Sequence, residues 1–303
     1  MRLKSPAIRH MIRCLIPLLA VFAFAAAPAV QASNSTMGEL VNMIGDGSYK
    51  GVTSLLVAKD GKIVEEYYFA DGGPQVLNDT GAMTATLTGL AVGAAIYQGA
   101  LENEGERVFQ FFGDRAPHAN MAPAKRAITV KDLLTMSSAL ACDDTGTDGA
   151  SQKAAMRAHE SATEYVLGLP VQQGYSRDAD GLGAFHYCSA GAFLLGQTLE
   201  RATGRSLDDF ISAAIFRPLA IGEHDWQRAP SGEEDAGEGL RLTSRDLVKL
   251  AEFARADGLW NGRRILPKGW VAASVKPKRQ VDDGISYGYL WWLRDFTSTT
   301  TSK

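Results

Sequence analysis

Few residues in this sequence can carry covalent, acid–base or metal chemistry, and most of them stand alone. His118, His159, His186 and His224 are far apart and share no His-x-x-x-His spacing, so no metal and no other cofactor is expected. Gly181-Leu182-Gly183 lacks the third glycine of a dinucleotide loop, and no Gly-Lys-Ser/Thr follows any glycine cluster. A Ser-His-Asp set has no Gly-x-Ser-x-Gly elbow to support it. Three stretches remain: "TGAMTATLTG" (80–89), "LLTMSSALACDD" (133–144) and "FHYCSAGAFLLGQTLERATGRSL" (185–207). The third places Tyr187 two residues before Ser189. A phenol in that setting can relay a proton, or it can be a core tyrosine whose hydroxyl meets a backbone partner. Ser189 is a site hydroxyl or a helix N-cap.

These stretches depend on the elements around them. In "NDTGAMTATLTGLAVGAAIYQGA" (78–100), Met83, Leu87, Leu90 and Ala94 recur at helical spacing. Val92 and Ile96 make the opposite side apolar, which predicts a helix buried all round. Thr80 or Asp79 is expected to cap its start and Gly99 to close its end. A second helix carries Ala192, Leu195, Leu199 and Ala202 and stops at Gly204, a third opens on Ser206 and Asp209, and a fourth runs from Thr243 to Arg255. "VTSLLVAKDGKIVEEYYFA" (52–70) reads as a hairpin around Asp60-Gly61. Helical character is expected after Gly73-Pro74. Asn261-Gly262 is a turn, and "SYGYLWWL" (286–293) returns to strand composition with Trp291 and Trp292 as sheet packing. Strands, a helical middle and strands again predict an α/β fold, its layer built from both ends of the chain.

With 46% hydrophobic and 21% charged residues the chain has the composition of a globular protein able to bury a core. A net charge of -3 and the lack of any basic, aromatic-laced patch argue against a nucleic-acid partner. Residues 1–32 differ. Arg2, Lys4, Arg9 and Arg13 precede the apolar "CLIPLLAVFAFAAAPAV", and "AVQA" offers small residues for cleavage after Ala32. Pro17 and Pro28 favour a cleaved signal peptide over a membrane anchor, so an exported protein, periplasmic or secreted, without a stable membrane span is expected. Export would leave Cys142 and Cys188, either a disulfide or two buried thiols.

The blocks "ITVKDLLTMSSAL", "YCSAGAFLLGQTLERATG", "IFRPLAI", "GEGLRLTSRDLVKL", "WNGRRIL" and "YGYLWW" follow one another in an order that resembles the serine β-lactamase and penicillin-binding-protein-like hydrolases, in the class C and esterase branch. The resemblance covers nearly all of residues 38–293. It implies a β-lactamase/transpeptidase-like fold, an antiparallel sheet flanked by helices plus an all-helical subdomain. Residues 33–80 and about 256–295 would form the α/β layer, and 81–255 the mainly helical region of a single domain spanning 33–303. It also implies a C-terminally incomplete fold, because the last strands and closing helix of such proteins would follow "YGYLWWL".

In such proteins a Ser-x-x-Lys motif opens the central helix, because i and i+3 share a helical face, and a Tyr-x-Asn or Tyr-x-Ser motif lies opposite. Here Ala82 takes the serine position and Ala85 the lysine position, while Tyr187 and Ser189 match the second motif. No serine in the chain has lysine three places on, and Ser137 and Ser138 are the nearest substitutes for a nucleophile. Alanine cannot form an acyl-enzyme. The resemblance therefore implies acyl-serine chemistry that is absent or strongly impaired. Two alternatives stay open: a non-catalytic binder of a cell-wall peptide or an acyl, ester or β-lactam ligand, and a truncated or mutated form of an active esterase or β-lactamase. A Cys142–Cys188 disulfide would hold Tyr187 against the "SSAL" loop.

Overall fold

A computed structural model describes residues 36–296, so the expected signal peptide (1–32) and the polar tail "TSTTTSK" lie outside the described residues. The chain divides into two units at Tyr49–Lys50. The first contains α1 (Thr36–Gly45), closed by a turn in which the Asp46 carboxylate accepts the Ser48 N–H and hydroxyl.

The second unit opens with β1 (Ser54–Lys59) and β2 (Lys62–Tyr68), paired antiparallel around Asp60 and Gly61, both at positive φ as a tight hairpin requires. The short β3 (Leu77–Asp79) follows. It occupies the region after Gly73-Pro74 where only helix was expected, since three residues are too few to show an alternating pattern. The helices are α2 (Met83–Tyr97), α3 (Pro123–Arg126), α4 (Val130–Leu134), α5 (Gly149–Ala158), α6 (Ala162–Gly168), α7 (Ser189–Thr203) and α8 (Leu207–Ile211). After β4 (Asp225–Trp226) and β5 (Leu240–Thr243) come α9 (Ser244–Arg255), β6 (Leu259–Trp260), β7 (Arg263–Arg264) and α10 (Trp270–Ser274). The strands β8 (Arg279–Asp282), β9 (Ile285–Tyr287) and β10 (Trp292–Arg294) end the series.

The class is mixed α/β with antiparallel pairing. The strands, however, form four small sheets, β1-β2, β3-β5-β4, β6-β7 and β10-β9-β8, in place of one layer joining both chain ends. Two short strands, β4 and β5, lie inside the stretch expected to be mainly helical. "SYGYLWWL" is not one strand either. Gly288 approaches the Ser274 carbonyl so closely that a Cβ would lie 1.9 Å from it, and Leu290 sits at φ 61. Apolar alternation cannot reveal a leucine held in the left-handed region.

Helix α2 is the buried pillar of this unit, and it packs on α7, α10 and the turn after α8. Leu87, Leu90, Val92 and Ala94 are all buried, as its two-sided apolar pattern predicts. The expected N-cap does not form: Ala82 is the N-cap and makes no side-chain bond. The Asp79 carboxylate instead accepts the Gly81 N–H at 2.8 Å, and the Thr80 hydroxyl is engaged by Thr84 and the Leu240 carbonyl, both at 2.9 Å. Gly99, at φ 75, follows the C-cap Gln98.

Candidate active site

Ala82 and Ala85 fall on one side of the first turns of α2, roughly 60° apart around a helix that advances about 100° per residue. Two walls flank that side. Thr84 and Thr88 turn to the segment before β5: the Thr84 hydroxyl accepts the Leu240 N–H at 3.3 Å, and the Thr88 hydroxyl donates to the Ala236 carbonyl at 2.8 Å. Together with Thr80 they form a ladder of hydroxyls lacing the helix to residues 236–240. On the other wall the Thr86 hydroxyl donates to the Leu290 carbonyl at 2.8 Å, and Gly89 leaves room for the Tyr289 carbonyl. Ala85 is buried between the walls.

The first amides of α2 do not point freely into this space. The N–H groups of Met83, Thr84 and Ala85 donate to the carbonyls of Thr80, Gly81 and Ala82, as in a tight 3₁₀ turn.

Tyr187 and Ser189 arrive from the start of α7. The N-cap is Cys188, whose Sγ accepts the Gly191 N–H at 3.2 Å, so Ser189 is the first helical residue and not the cap. Its own N–H donates to the Asp144 carboxylate at 3.0 Å, while the Asp144 N–H donates to the Tyr187 carbonyl at 2.7 Å. Cys142 and Cys188 are joined as a disulfide with their Cα atoms 5.4 Å apart. Residues 142–144 are thereby fastened to 187–189 at three points. The Ser189 hydroxyl is buried and has no hydrogen-bond partner. Gly237 makes its surroundings tight, because a Cβ there would lie 3.4 Å from the Ser189 Cβ.

Burial pushes the Tyr187 phenol up to about 12, the negative charges of Glu238 and Asp144 add to the rise, and a hydrogen bond from Trp292 opposes part of it. No cation is among the groups that shift it. Burial and the neighbouring carboxylates thus favour the protonated phenol of Tyr187. Glu238 itself is raised by burial but held below the usual carboxylate range overall by bonds from Lys153 and Arg157 of α5. The same Arg157 holds Asp235 at 3.0 Å. These acidic residues had no assigned role in the sequence. The run "EEDAGEGL" before a strand was the available signal.

Trp292 is a sheet residue, paired in β10 with Tyr287 of β9, as its composition suggested. It is 49% exposed and lies against Tyr187 with ring centroids 5.5 Å apart. It also lines, with Trp291, Ala82, Thr86, Leu90 and Leu250, an apolar cavity of about 330 Å³. Ala82 and Trp292 thus both line the cavity, and Trp292 also packs on Tyr187. The Ser137 hydroxyl is fully buried and bonded to Thr135 at 2.7 Å, and Ser138 lies next to the Leu140 N–H. The imidazole of His224 uses both nitrogens, on Asp208 and the Gly222 carbonyl, so neither is left for a hydroxyl. Among the described residues no group of three or more His, Cys, Asp or Glu is arranged to hold a metal, and no helix is long and apolar enough to cross a membrane.

The family model described as Beta-lactamase matches residues 42–302. A 6-aminohexanoate-dimer hydrolase of Paenarthrobacter ureafaciens is 24% identical over 258 residues, covering 79% of this chain and 63% of that relative. The chain thus spans less than two thirds of the length of this curated relative. Among solved structures, a penicillin-binding protein from Bacillus halodurans is 16% identical with a TM-score of 0.63, covering 84% of both chains. The octameric penicillin-binding protein homologue from Pyrococcus abyssi is 19% identical with a TM-score of 0.62, covering 85% of this chain and 65% of that one. At these identities the solved structures speak for the fold.

Proposed function

The chain belongs to the β-lactamase family of serine hydrolases, and from that premise we propose that it is an exported member whose covalent acyl-transfer step is silent. The observation that carries this reading is the pair Ala82 and Ala85, side by side at the start of α2 where acyl-serine chemistry needs a hydroxyl and an amine. Tyr187, protonated at neutral pH, has no partner there with which to exchange a proton. What such a site keeps without its nucleophile is binding and residual polarisation, on the order of 10³ to 10⁴ over water in a comparable serine hydrolase.

Incubation of the full chain with a labelled penicillin and with an activated ester, followed by intact mass spectrometry, tests the reading. No adduct is expected, and one stoichiometric acyl group on the protein would sink it. Export is tested on culture fractions, where the mature protein should begin after Ala32 and carry the Cys142–Cys188 bridge.

A second reading is supported by the apolar cavity that Ala82 helps to line. The site then holds an acyl, ester, β-lactam or cell-wall peptide ligand without turning it over, and the name of the curated relative adds a 6-aminohexanoate dimer to the candidates. Saturable binding with no product after prolonged incubation distinguishes this from an empty scaffold.

A further inference from the structure

Helix α4 ends on a residue that its backbone does not favour. Thr135 is the C-cap, the Met136 N–H donates to the Leu133 carbonyl at 3.2 Å, and the Ser137 N–H donates to the Asp132 carbonyl at 2.9 Å. These two bonds make a Schellman ending, in which the residue after the C-cap turns left-handed and is most often glycine. Here that residue is Met136, at φ 52. A Cβ is costly in this region, and a fold keeps such a conformation where its surroundings over-determine it.

What surrounds Met136 is the segment that carries Tyr187. On an extended segment, alternate N–H groups point to one edge and the carbonyl between them points to the other. The His186 N–H donates to the Met136 carbonyl at 2.8 Å, and the Cys188 N–H donates to Met136 Sδ at 3.3 Å. On the far edge the Tyr187 carbonyl accepts the Asp144 N–H at 2.7 Å. Tyr187 is thereby gripped from both edges, by bonds to the residues before and after it and by one of its own. A glycine at position 136 would offer its carbonyl alone. The buried thioether supplies the second acceptor, weak in strength and adaptable in shape.

The same helix end holds the ring opposite. Leu134 is the last residue of α4, so its carbonyl has no helical partner, and it accepts the Leu290 N–H at 2.8 Å. Two residues beyond Leu290 stands Trp292, whose ring centroid lies 5.5 Å from that of Tyr187. Both members of the Tyr187–Trp292 pair are therefore hung on residues 134–136.

We propose that Met136 is a positioning residue of the candidate site, setting the aim of Tyr187 toward Trp292 through its carbonyl and its thioether. The inference rests on Tyr187 belonging to the site, as in the function proposed above. Met136 acts through Tyr187, since it is not among the residues that line the apolar cavity.

The test uses Met136→Leu and Met136→Gly, both of which remove the sulfur. Leucine keeps an apolar side chain of similar size, whereas glycine relieves the left-handed backbone, so the two share no reason to misfold. In both, hydrogen exchange of the Cys188 amide rises about tenfold relative to the amides of α7, the effect of one hydrogen bond. The Tyr187 phenol, read by carbon-13 NMR, titrates below its present value of about 12 as its burial loosens. Gly93→Ala, which strains the middle of α2, is the control and leaves the Tyr187 titration in place. A Cys188 exchange rate or a Tyr187 titration unmoved in either variant overturns the proposal. So does a Tyr187 titration that Gly93→Ala moves as far, or a wild-type Cys188 amide that exchanges as fast as an exposed one. An acyl adduct would end the silent-site reading and leave these measurements untouched, so the two fail separately.

Discussion

Asp144 accepts the backbone N–H of Ser189 at 3.0 Å, so a carboxylate stands at the N-terminus of α7 next to Tyr187. The placement favours the helix, whose first amides and positive end attract an anion. It disfavours a phenolate, because both charges would be negative. Asp144→Asn keeps an acceptor for Ser189 and removes the charge, so the Tyr187 phenol should titrate below its present value of about 12. Asp144→Ala should in addition cost about 1 kcal/mol of stability through the lost hydrogen bond to the Ser189 N–H. Carbon-13 NMR of labelled tyrosine reads the first effect and denaturant titration the second. An unchanged Tyr187 titration in Asp144→Asn would count against the charge reading.

Glu200 should tie stability to pH. Burial, then a hydrogen bond with the Glu234 carboxyl, raises its pKa to about 7 from an ordinary 4.5. The folded chain therefore holds a proton between those values that the unfolded chain has released. Stability contributed by this group falls as pH rises from about 4.5 to 7 and stays lower above. Glu200→Gln, still able to accept the Leu207 N–H, should raise the melting temperature at pH 8 and leave it nearly unchanged at pH 5. Equal shifts at both values would contradict the assignment.

Lys125 carries the opposite sign. Its ammonium is fully buried on the carbonyls of Ala119, Leu167 and Leu169, at 2.9, 2.6 and 2.6 Å. Burial lowers its pKa to about 8 from 10.5, so the fold sheds a proton before the unfolded chain does. Its contribution to stability rises with pH between about 8 and 10.5. Lys125→Met should remove that slope and cost roughly 2 to 4 kcal/mol, since three carbonyls lose their donor, two of them at the end of α6. Urea titrations of both proteins across that range decide it.

Two glycines should respond differently to alanine. At Gly93, in the middle of α2, a Cβ would lie 2.5 Å from the Trp270 indole, whose N–H donates to the Gly89 carbonyl. Gly93→Ala should cost about 1 to 3 kcal/mol through overpacking. At Gly168, the last residue of α6, nothing lies within 4 Å, and alanine should stabilise by about 0.4 to 1 kcal/mol. Thermal denaturation of the two variants side by side checks the contrast.

The long helices and the tight hairpins were legible because their signals are local. The 3.6-residue apolar period marks α2, α7 and α9, and Asp60-Gly61 and Asn261-Gly262 mark their turns. The short strands β3 and β4 were not, because two or three residues show no period. At the candidate site, Tyr187, Ser189, Ala82 and Ala85 were assigned through the resemblance to the serine hydrolase family. Asp144, Glu238 and Trp292 were missed because what they do depends on contacts across the chain: a carboxylate on a distant helix start, a charge held by α5, an indole against a phenol. The cap on α7 fell on Cys188 where Ser189 was an open alternative, because the sulfur and not the hydroxyl reaches the Gly191 amide.

The ladder of Thr80, Thr84 and Thr88 has a consequence for any attempt to rebuild the site. Hydroxyls one turn apart clamp α2 to residues 236–240, while Thr86 pins the other side to Leu290, so the helix has little torsional play about its own axis. The aim of a side chain placed at position 82 or 85 is therefore set by threonines that take no part in catalysis. A hydroxyl and an amine restored there would enter a frame whose direction is already decided.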